Sequence, residues 1–267
     1  MNINVGCLFR YGTQVDTPAI FMVRPSLAAD QRIITETWQS EPLAPYRDYT
    51  DIYGNLCRRT QLRNGDSMVR YAATVEVPDT IDEIDPSAEQ TPVNELPDDV
   101  LLFTMASRYC LSDALGNRAW ELFGGIPPGW ARAQAIVDFV HNHVRFSYGT
   151  STPLTTALDV HDNAVGVCRD FAHLAITFAR AMNIPARYVF GYLPDIDVPV
   201  ADAPMDFCAW SEFYLGGRWW TFDPRNNQRR KGRVLIARGR DALDVAMVTT
   251  YGQVVLQDMT VDADLAS

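Results

Sequence analysis

The stretch Gly166-Val167-Cys168-Arg169-Asp170-Phe171-Ala172-His173-Leu174 places a cysteine where a loop gives way to an amphipathic helix. Apolar residues recur here at offsets of three and four, a spacing that predicts one buried helical stripe: Phe171, Leu174, Ala175, Phe178, Ala179 and Met182. Cys168 lies near the predicted helix N-terminus, where unpaired N–H groups and the helix dipole favour thiolate over thiol. The position suits a nucleophile, although a small, buried, apolar cysteine is the alternative.

Farther along the chain, two aromatic-rich runs flank the pair Gly216-Gly217. Both central residues of a tight hairpin turn need positive φ, so the pair predicts a two-residue turn with Leu215 opposite Arg218. The alternation of side chains along strands then places four residues on one face: Cys208 opposite Arg225, and Trp210 opposite Asp223. Cys208 lies diagonal to Asp223, within roughly 8 Å.

Four blocks in this order resemble the bacterial transglutaminase-like family of papain-like cysteine peptidases and acyltransferases. They are residues 166–174, 184–192, 209–223 and 237–242, and the resemblance extends over most of the chain. It implies an α+β fold, in which a papain-like catalytic core of helices packed on an antiparallel sheet follows a β-rich N-terminal domain. It also implies a triad of Cys, His and Asp, with Cys168 as the nucleophile and Asp223 as the orienting acid.

The sequence departs from the family at the triad histidine, whose position is held by Cys208. A cysteine nucleophile normally needs an imidazole to accept its proton and to protonate the leaving group. A thiol with a pKa of about 8.5 replaces poorly an imidazole with a pKa of about 6.5, and it cannot bridge nucleophile and acid through two ring nitrogens.

Three interpretations of Cys208 stay open. The protein is a silent family member that binds a peptide or protein partner in the old cleft. Alternatively, it is a hydrolase or acyltransferase for amide or thioester bonds, with a relocated base such as His161 or an activated acyl donor. In the third interpretation, Cys168 and Cys208 form a redox pair. We expect Trp210 to line the cleft and to contact substrate, although a tryptophan in a half-buried hairpin is ordinarily core. Arg169 and Asp170 are expected to brace the helix start.

The composition limits the function classes. At 267 residues and 47% hydrophobic, the chain can bury one large core or two moderate ones. A net charge of −10 argues against a nucleic-acid partner. The five cysteines form no Cys-x-x-Cys pattern, so we expect a reducing cytoplasm and no metal or cofactor. No signal sequence or membrane span is expected. The expected substrate is a peptide, a protein or a small acyl compound, and the oligomeric state stays open.

Two domains are predicted. Residues 1–95 contain short β-branched and aromatic runs separated by turn residues, and they end in an acidic, proline-containing stretch that reads as a linker. Residues 96–267 form the predicted catalytic core. Strand-like runs at 234–237 and 245–256 are expected to close the sheet of that core.

Overall fold

A computed structural model describes residues 1–27, 30–199 and 204–266. The N-terminal region is built from strands, as its alternating β-branched and aromatic runs predict. The six strands are β1 (Asn2–Thr13), β2 (Thr17–Phe21), β3 (Arg32–Glu41), β4 (Arg47–Thr50), β5 (Leu56–Leu62) and β6 (Gly65–Glu76).

Helices dominate the middle of the chain. In chain order, the elements are α1 (Asp98–Leu101), α2 (Gly116–Phe123), α3 (Trp130–His143), β7 (Arg145–Phe146), α4 (Ala157–Asn163), β8 (Val165–Gly166) and α5 (Cys168–Ala181), with 3₁₀ turns at Val93–Glu95 and Leu102–Thr104. The predicted helix therefore begins at Cys168 itself.

The last third returns to strands. They are β9 (Ala186–Tyr192), β10 (Cys208–Leu215), β11 (Arg218–Phe222), β12 (Val234–Gly239), β13 (Val248–Thr250) and β14 (Val254–Leu265). Strands β11, β10, β9 and β12 lie in that order in an antiparallel sheet, which we name the catalytic sheet after the predicted catalytic core, residues 96–267, that contains it.

Helix α5 is the centre of the predicted catalytic core. One side packs on β9 and β10, and the other contacts α2, α3 and α4. Each residue from Asp170 to Arg180 is buried as a result. This layering of helices on an antiparallel sheet, after a β-rich N-terminal region, confirms the predicted α+β fold class.

The Gly216-Gly217 hairpin forms with the predicted register. Both glycines have positive φ, at 56° and 82°, and Leu215 pairs with Arg218. The ladder between β10 and β11 ends at Phe222, so the predicted pairing of Cys208 with Arg225 does not form. Cys208 instead lies opposite Gly191 on β9.

The two C-terminal strands leave the catalytic sheet, which corrects the expectation that residues 245–256 close it. Strand β13 pairs with β2, and β14 pairs with β1 along its length. The long edge of β1 offers β14 more backbone partners than the short catalytic strands could. Division of the chain at residue 95 stays a prediction, but β13 and β14 pair with strands on its N-terminal side.

The acidic stretch after β6 is packed rather than loose, contrary to the linker prediction. The Asp82 carboxylate accepts hydrogen bonds from Arg233 at 2.9 and 3.0 Å. The backbone carbonyl of Ala88 accepts a bond from the N–H of Trp130, and that of Glu89 accepts one from Gly216. Residues 78–97, which we name the strap, are therefore held by hydrogen bonds against the predicted catalytic core.

Aromatic contacts join the N-terminal strands to the catalytic sheet. Phe9 on β1 stacks on Phe207, with ring centroids 6.3 Å apart. The Tyr192 hydroxyl donates to the carbonyl of Val23 at 3.0 Å. Because Phe207 directly precedes Cys208, the N-terminal region supports the start of β10.

Close packing at Gly191 predicts a stability effect. A Cβ there would meet the carbonyl oxygen of Val234 and approach the Trp210 ring to 2.6 Å, whereas one at Gly125 would meet nothing within 4 Å. We expect Gly191→Ala to lower the free energy of unfolding by about 1–3 kcal/mol, as overpacking does. Urea denaturation beside Gly125→Ala measures this difference, and equal stability of the two variants would contradict the packing described for β9.

Candidate active site

The N-terminus of α5 is rigidly braced. The buried Asp170 carboxylate accepts a hydrogen bond from the Val167 N–H at 2.8 Å and another from the Ser151 hydroxyl at 3.0 Å. Gly166 has no room for a Cβ, which would lie 2.7 Å from that of Asp170. Arg169 adds an ion pair to Asp170 at 3.1 Å. The helix start, and with it Cys168, is therefore fixed.

The structure brings the two thiols of the site together. Cys168, which is partly exposed, packs against the apolar cluster that contains Cys208, which is 5% exposed. The Cys168 sulfur also lies 3.8 Å from the carbonyl oxygen of Phe207. Cys168 comes from the first turn of α5 and Cys208 from the first residue of β10, so the packing of this helix on the sheet creates the pair.

The two thiols differ in acidity. A hydrogen bond from Cys208 lowers the pKa of Cys168 against the opposing effect of desolvation, and the Ala209 N–H and Arg225 add to the lowering. The same bond raises the pKa of Cys208 well above its ordinary value, and burial and the charge of Cys168 raise it further. Cys168 is thus the more acidic thiol of the pair, and Cys208 is the one that keeps its proton. A protonated donor with a raised pKa cannot serve as the base for Cys168.

Asp223 lies beside this pair without an imidazole to orient. It is 5% exposed, and its carboxylate accepts hydrogen bonds from the Asn226 backbone N–H at 3.0 Å and amide at 2.9 Å. Arg233 forms an ion pair with it at 3.0 Å. Its negative charge contributes to the raised pKa of Cys208. The carboxylate is therefore held in place and acts on the site through its charge on Cys208.

Trp210 is a core residue rather than a cleft wall, which corrects the prediction that it contacts substrate. It is 2% exposed and packs among apolar side chains that include Val189, Leu235 and Cys208. The Arg233 guanidinium covers its ring at 4.9 Å. The large indole faces Gly191, the one residue small enough to accommodate it, and so supports Cys208 from behind.

None of the chain's four histidines contacts the Cys168 sulfur among the described residues. His161, the proposed relocated base, bonds to Asp162 at 2.9 Å, and its ring contacts Phe178. Phe178 lies ten residues beyond Cys168, about 15 Å along α5. His173 is buried between aromatic rings, and desolvation lowers its pKa well below the ordinary value. The remaining two bond to backbone carbonyls: His141 and His143.

Two cavities meet at the thiol pair. One, of about 310 Å³, is lined by Phe146, Tyr148 and Arg225, and the other, of about 430 Å³, by Tyr188 and Phe190 among other residues. Cys168 and Cys208 line both. The Cys168 side chain therefore lines two cavities that meet beside it.

Two charged residues of the site are not predicted from the sequence. The predicted register gives Arg225 a place on the Cys208 face but no role, and it gives Asp206 no place in the site. Desolvation raises the pKa of the Asp206 carboxyl group, against lowering by the Phe207 N–H and by Arg225. The available signal was position, since Asp206 precedes Cys208 by two residues and Arg225 follows Asp223 by two.

Two features are absent from the described residues. No helix there is long and apolar enough to cross a membrane. No cluster of three or more His, Cys, Asp or Glu side chains is arranged to hold a metal ion.

Comparison with known proteins places this geometry in a family. The profile of the transglutaminase-like superfamily matches residues 118–224, which include both thiols and Asp223. The crystal structure of a Cytophaga hutchinsonii protein, provisionally described as a cysteine protease, superimposes with a TM-score of 0.91 at 32% identity, covering 99% of this chain and 90% of that one. The chain belongs to the transglutaminase-like superfamily.

Curated relatives come from mycobacteria. The Mycobacterium leprae protein ML0607 is 37% identical over 120 residues, 44% of this chain and 39% of that protein. Rv2569c of Mycobacterium tuberculosis is 32% identical over 140 residues, 48% of this chain and 45% of that protein. The chain spans less than half the length of these curated relatives.

The effect of Cys208 on the pKa of Cys168 can be tested through the pH dependence of Cys168 alkylation. A bond donated to the thiolate stabilises the charged form and lowers the pKa, so losing it must raise the pKa. We expect Cys208→Ala to move the pH profile of iodoacetamide alkylation at Cys168 upward, toward the ordinary thiol value of about 8.5. Peptide mass spectrometry of the alkylated protein measures the profile.

Cys208→Ser is the matched control, because its hydroxyl can still donate. We expect its profile to stay close to that of the unmodified protein. An alanine variant that titrates like the serine variant would show that the Cys208 donor does not set the acidity of Cys168.

Proposed function

We propose that this transglutaminase-like protein is a cysteine acyl-transfer enzyme, in which Cys168 forms the acyl-enzyme and the preferred donors are thioesters or similarly activated acyl compounds. The observation that carries the proposal is the position of Cys168. It is a partly exposed thiol at the first residue of a buried helix, held toward thiolate by Cys208 where two cavities meet.

In the proposed reaction, the Cys168 thiolate attacks the acyl carbonyl carbon and forms a sulfur–carbon bond. The oxyanion that results is stabilised by backbone N–H groups at the α5 N-terminus. Its collapse breaks the bond to the leaving group, which departs with the electron pair. Water or an amine then attacks the acyl-enzyme, loses a proton to solvent, and regenerates the Cys168 thiolate.

The absence of an imidazole at Cys168 favours activated donors. An amine leaving group must be protonated as it departs, and general acid catalysis of that step contributes about 10²–10⁴-fold. Cys208 is a weak acid because its pKa is raised. A thiolate leaving group needs no proton, so thioester cleavage avoids the step that the site serves least well.

The net charge and the cysteines support a proposed substrate class and a proposed cellular compartment. The net charge of −10 disfavours nucleic acids as partners. All five cysteines are free thiols, which fits a reducing cytoplasm. The proposed acyl substrate is a peptide, a protein or a small molecule.

A paired substrate assay tests the proposal. We expect a thioester to be cleaved at least about 100-fold faster than the matched amide, relative to their uncatalysed rates, because only the amide requires general acid help. Cys168→Ala should abolish thioester cleavage. If neither substrate is cleaved, the interpretation as a silent partner-binding protein gains support.

Replacing Cys208 by the histidine that the family has at this position tests whether the missing base limits amide turnover. We expect Cys208→His to raise amide turnover by about 10²–10⁴-fold, because an imidazole would supply the missing proton transfer beside Asp223. Cys208→Asn, which fills a similar volume without a titratable ring, is the control. Equal amide rates in the two variants would show that the base is not what limits the enzyme.

Redox control is a second candidate function, favoured by the contact between the two thiols. Glutathione disulfide can accept two electrons as the Cys168 and Cys208 thiols lose two protons and form a disulfide, releasing two glutathione thiols. This would block the nucleophile. Non-reducing peptide mass spectrometry should find the crosslink and dithiothreitol should reverse it, whereas two free thiols after oxidation would eliminate this function.

A further inference from the structure

The Arg225 side chain lines the smaller of the two cavities, and no described carboxylate lies within ion-pair distance of its guanidinium. Its guanidinium lies over the Phe146 ring, 4.2 Å from the ring centroid, and it lines the cavity together with Cys168. Among the described residues, no hydrogen bond or ion pair engages that guanidinium. The contrast with two neighbouring arginines is clear, since Arg230 pairs with Asp195 and Arg233 with Asp223.

The backbone around Arg225 is fixed. The ring of His141 donates from Nδ1 to the Arg225 carbonyl oxygen at 3.0 Å. On either side, the Asp223 carboxylate accepts a bond from Asn226 at 3.0 Å, and the Asn227 amide donates to Asp138 at 2.9 Å. Because stacking on Phe146 occupies only the face of the guanidinium, its N–H edges stay available for a planar, bidentate partner.

We propose that Arg225 binds a carboxylate of the acyl donor, so that the natural substrate carries an acidic group near its reactive carbonyl. The proposal rests on the proposed function and names a substrate class for it. A guanidinium and a carboxylate form paired, charge-assisted hydrogen bonds. Phe146 and Leu193 line the same cavity, and apolar side chains beside a charge pair strengthen its attraction relative to open water.

Charge also explains why Arg225 faces the nucleophile. Its positive charge favours the Cys168 thiolate, while the nearby Asp206 disfavours it. A substrate carboxylate bound at Arg225 would repel Asp206, and the two acidic groups would therefore occupy different sides of the guanidinium. Arg225 thus positions the substrate, and Cys168 carries out the chemistry.

Two alkylating reagents of nearly equal size test this proposal without a natural substrate. Iodoacetate carries a carboxylate and iodoacetamide does not. With either, the Cys168 thiolate displaces iodide as the sulfur–carbon bond forms and the carbon–iodine bond breaks. We expect the ratio of iodoacetate to iodoacetamide rates at Cys168 to exceed that of free N-acetylcysteine, and Arg225→Gln to lower it by about 10-fold or more.

Two variants make the comparison specific. Arg225→Lys keeps the charge but loses the planar fork, and we expect it to keep part of the preference. Arg10→Gln removes the same charge from an exposed position on β1 and should leave the ratio unchanged. Circular dichroism melts establish that each variant is folded, and the lysine variant keeps the test valid if the glutamine variant is not.

The outcomes separate this inference from the proposed function. An iodoacetate preference equal to that of the free thiol, or one that Arg225→Gln leaves unchanged, would overturn the role of Arg225 alone. A Cys168 that reacts with neither reagent would count against both, because a carboxylate site beside an unreactive thiol would have no acyl chemistry to serve.

Discussion

The burial of helix α5 is the constraint on which the rest of the molecule depends. Its side chains are enclosed between the catalytic sheet and three other helices from Asp170 onward, so the helix cannot shift without opening the core on both sides. The one end that stays accessible carries Cys168, and Asp170 fixes that end through Val167 and Ser151. The remaining elements of the site are arranged around this fixed sulfur. The strap at 78–97 and the N-terminal strands hold the opposing sheet against it.

One consequence is an asymmetric pair of thiols. Burial raises the pKa of a cysteine thiol, and at Cys7 it does so to about 12 even though Tyr192 and the backbone of Tyr71 act in the opposite direction. At the α5 N-terminus the same residue type meets a thiol donor, a backbone N–H and an arginine, and its pKa falls despite burial. The acidity of Cys168 thus comes from its neighbours and its position on the helix.

Cys208 contributes the hydrogen bond that the family histidine would otherwise supply, but it cannot exchange a proton at neutral pH in the same way. We therefore expect the chemistry of this member to be selective for acyl donors that require little acid catalysis.

Local patterns in the sequence predict helix α5 and the hairpin between β10 and β11. The periodicity after Cys168 sets the helix and its first residue, and Gly216-Gly217 sets the hairpin and its register, because both signals depend on backbone geometry over a few residues. The resemblance to the transglutaminase-like family supplies the layered fold.

Contacts between residues far apart in the chain could not be predicted in this way. Strand β14 pairs with β1 across the whole chain, and nothing in the sequence of either strand specifies that partner. Trp210 reads equally well as core or cleft until the position of Gly191 is known. The partners of Arg225, Arg230 and Arg233 depend on how loops return to the sheet. Which of these three has no described carboxylate within ion-pair distance could therefore not be identified in advance.

The central claim is that Cys168, held as a thiolate by Cys208, accepts an acyl group. The most direct measurement is intact-protein and peptide mass spectrometry after brief exposure to an acyl thioester, quenched in acid to preserve the adduct. We expect one acyl group per chain, located on Cys168, absent from Cys168→Ala and still formed by Cys208→Ser. An unmodified Cys168, or acylation distributed over other nucleophiles at equal rates, would contradict it.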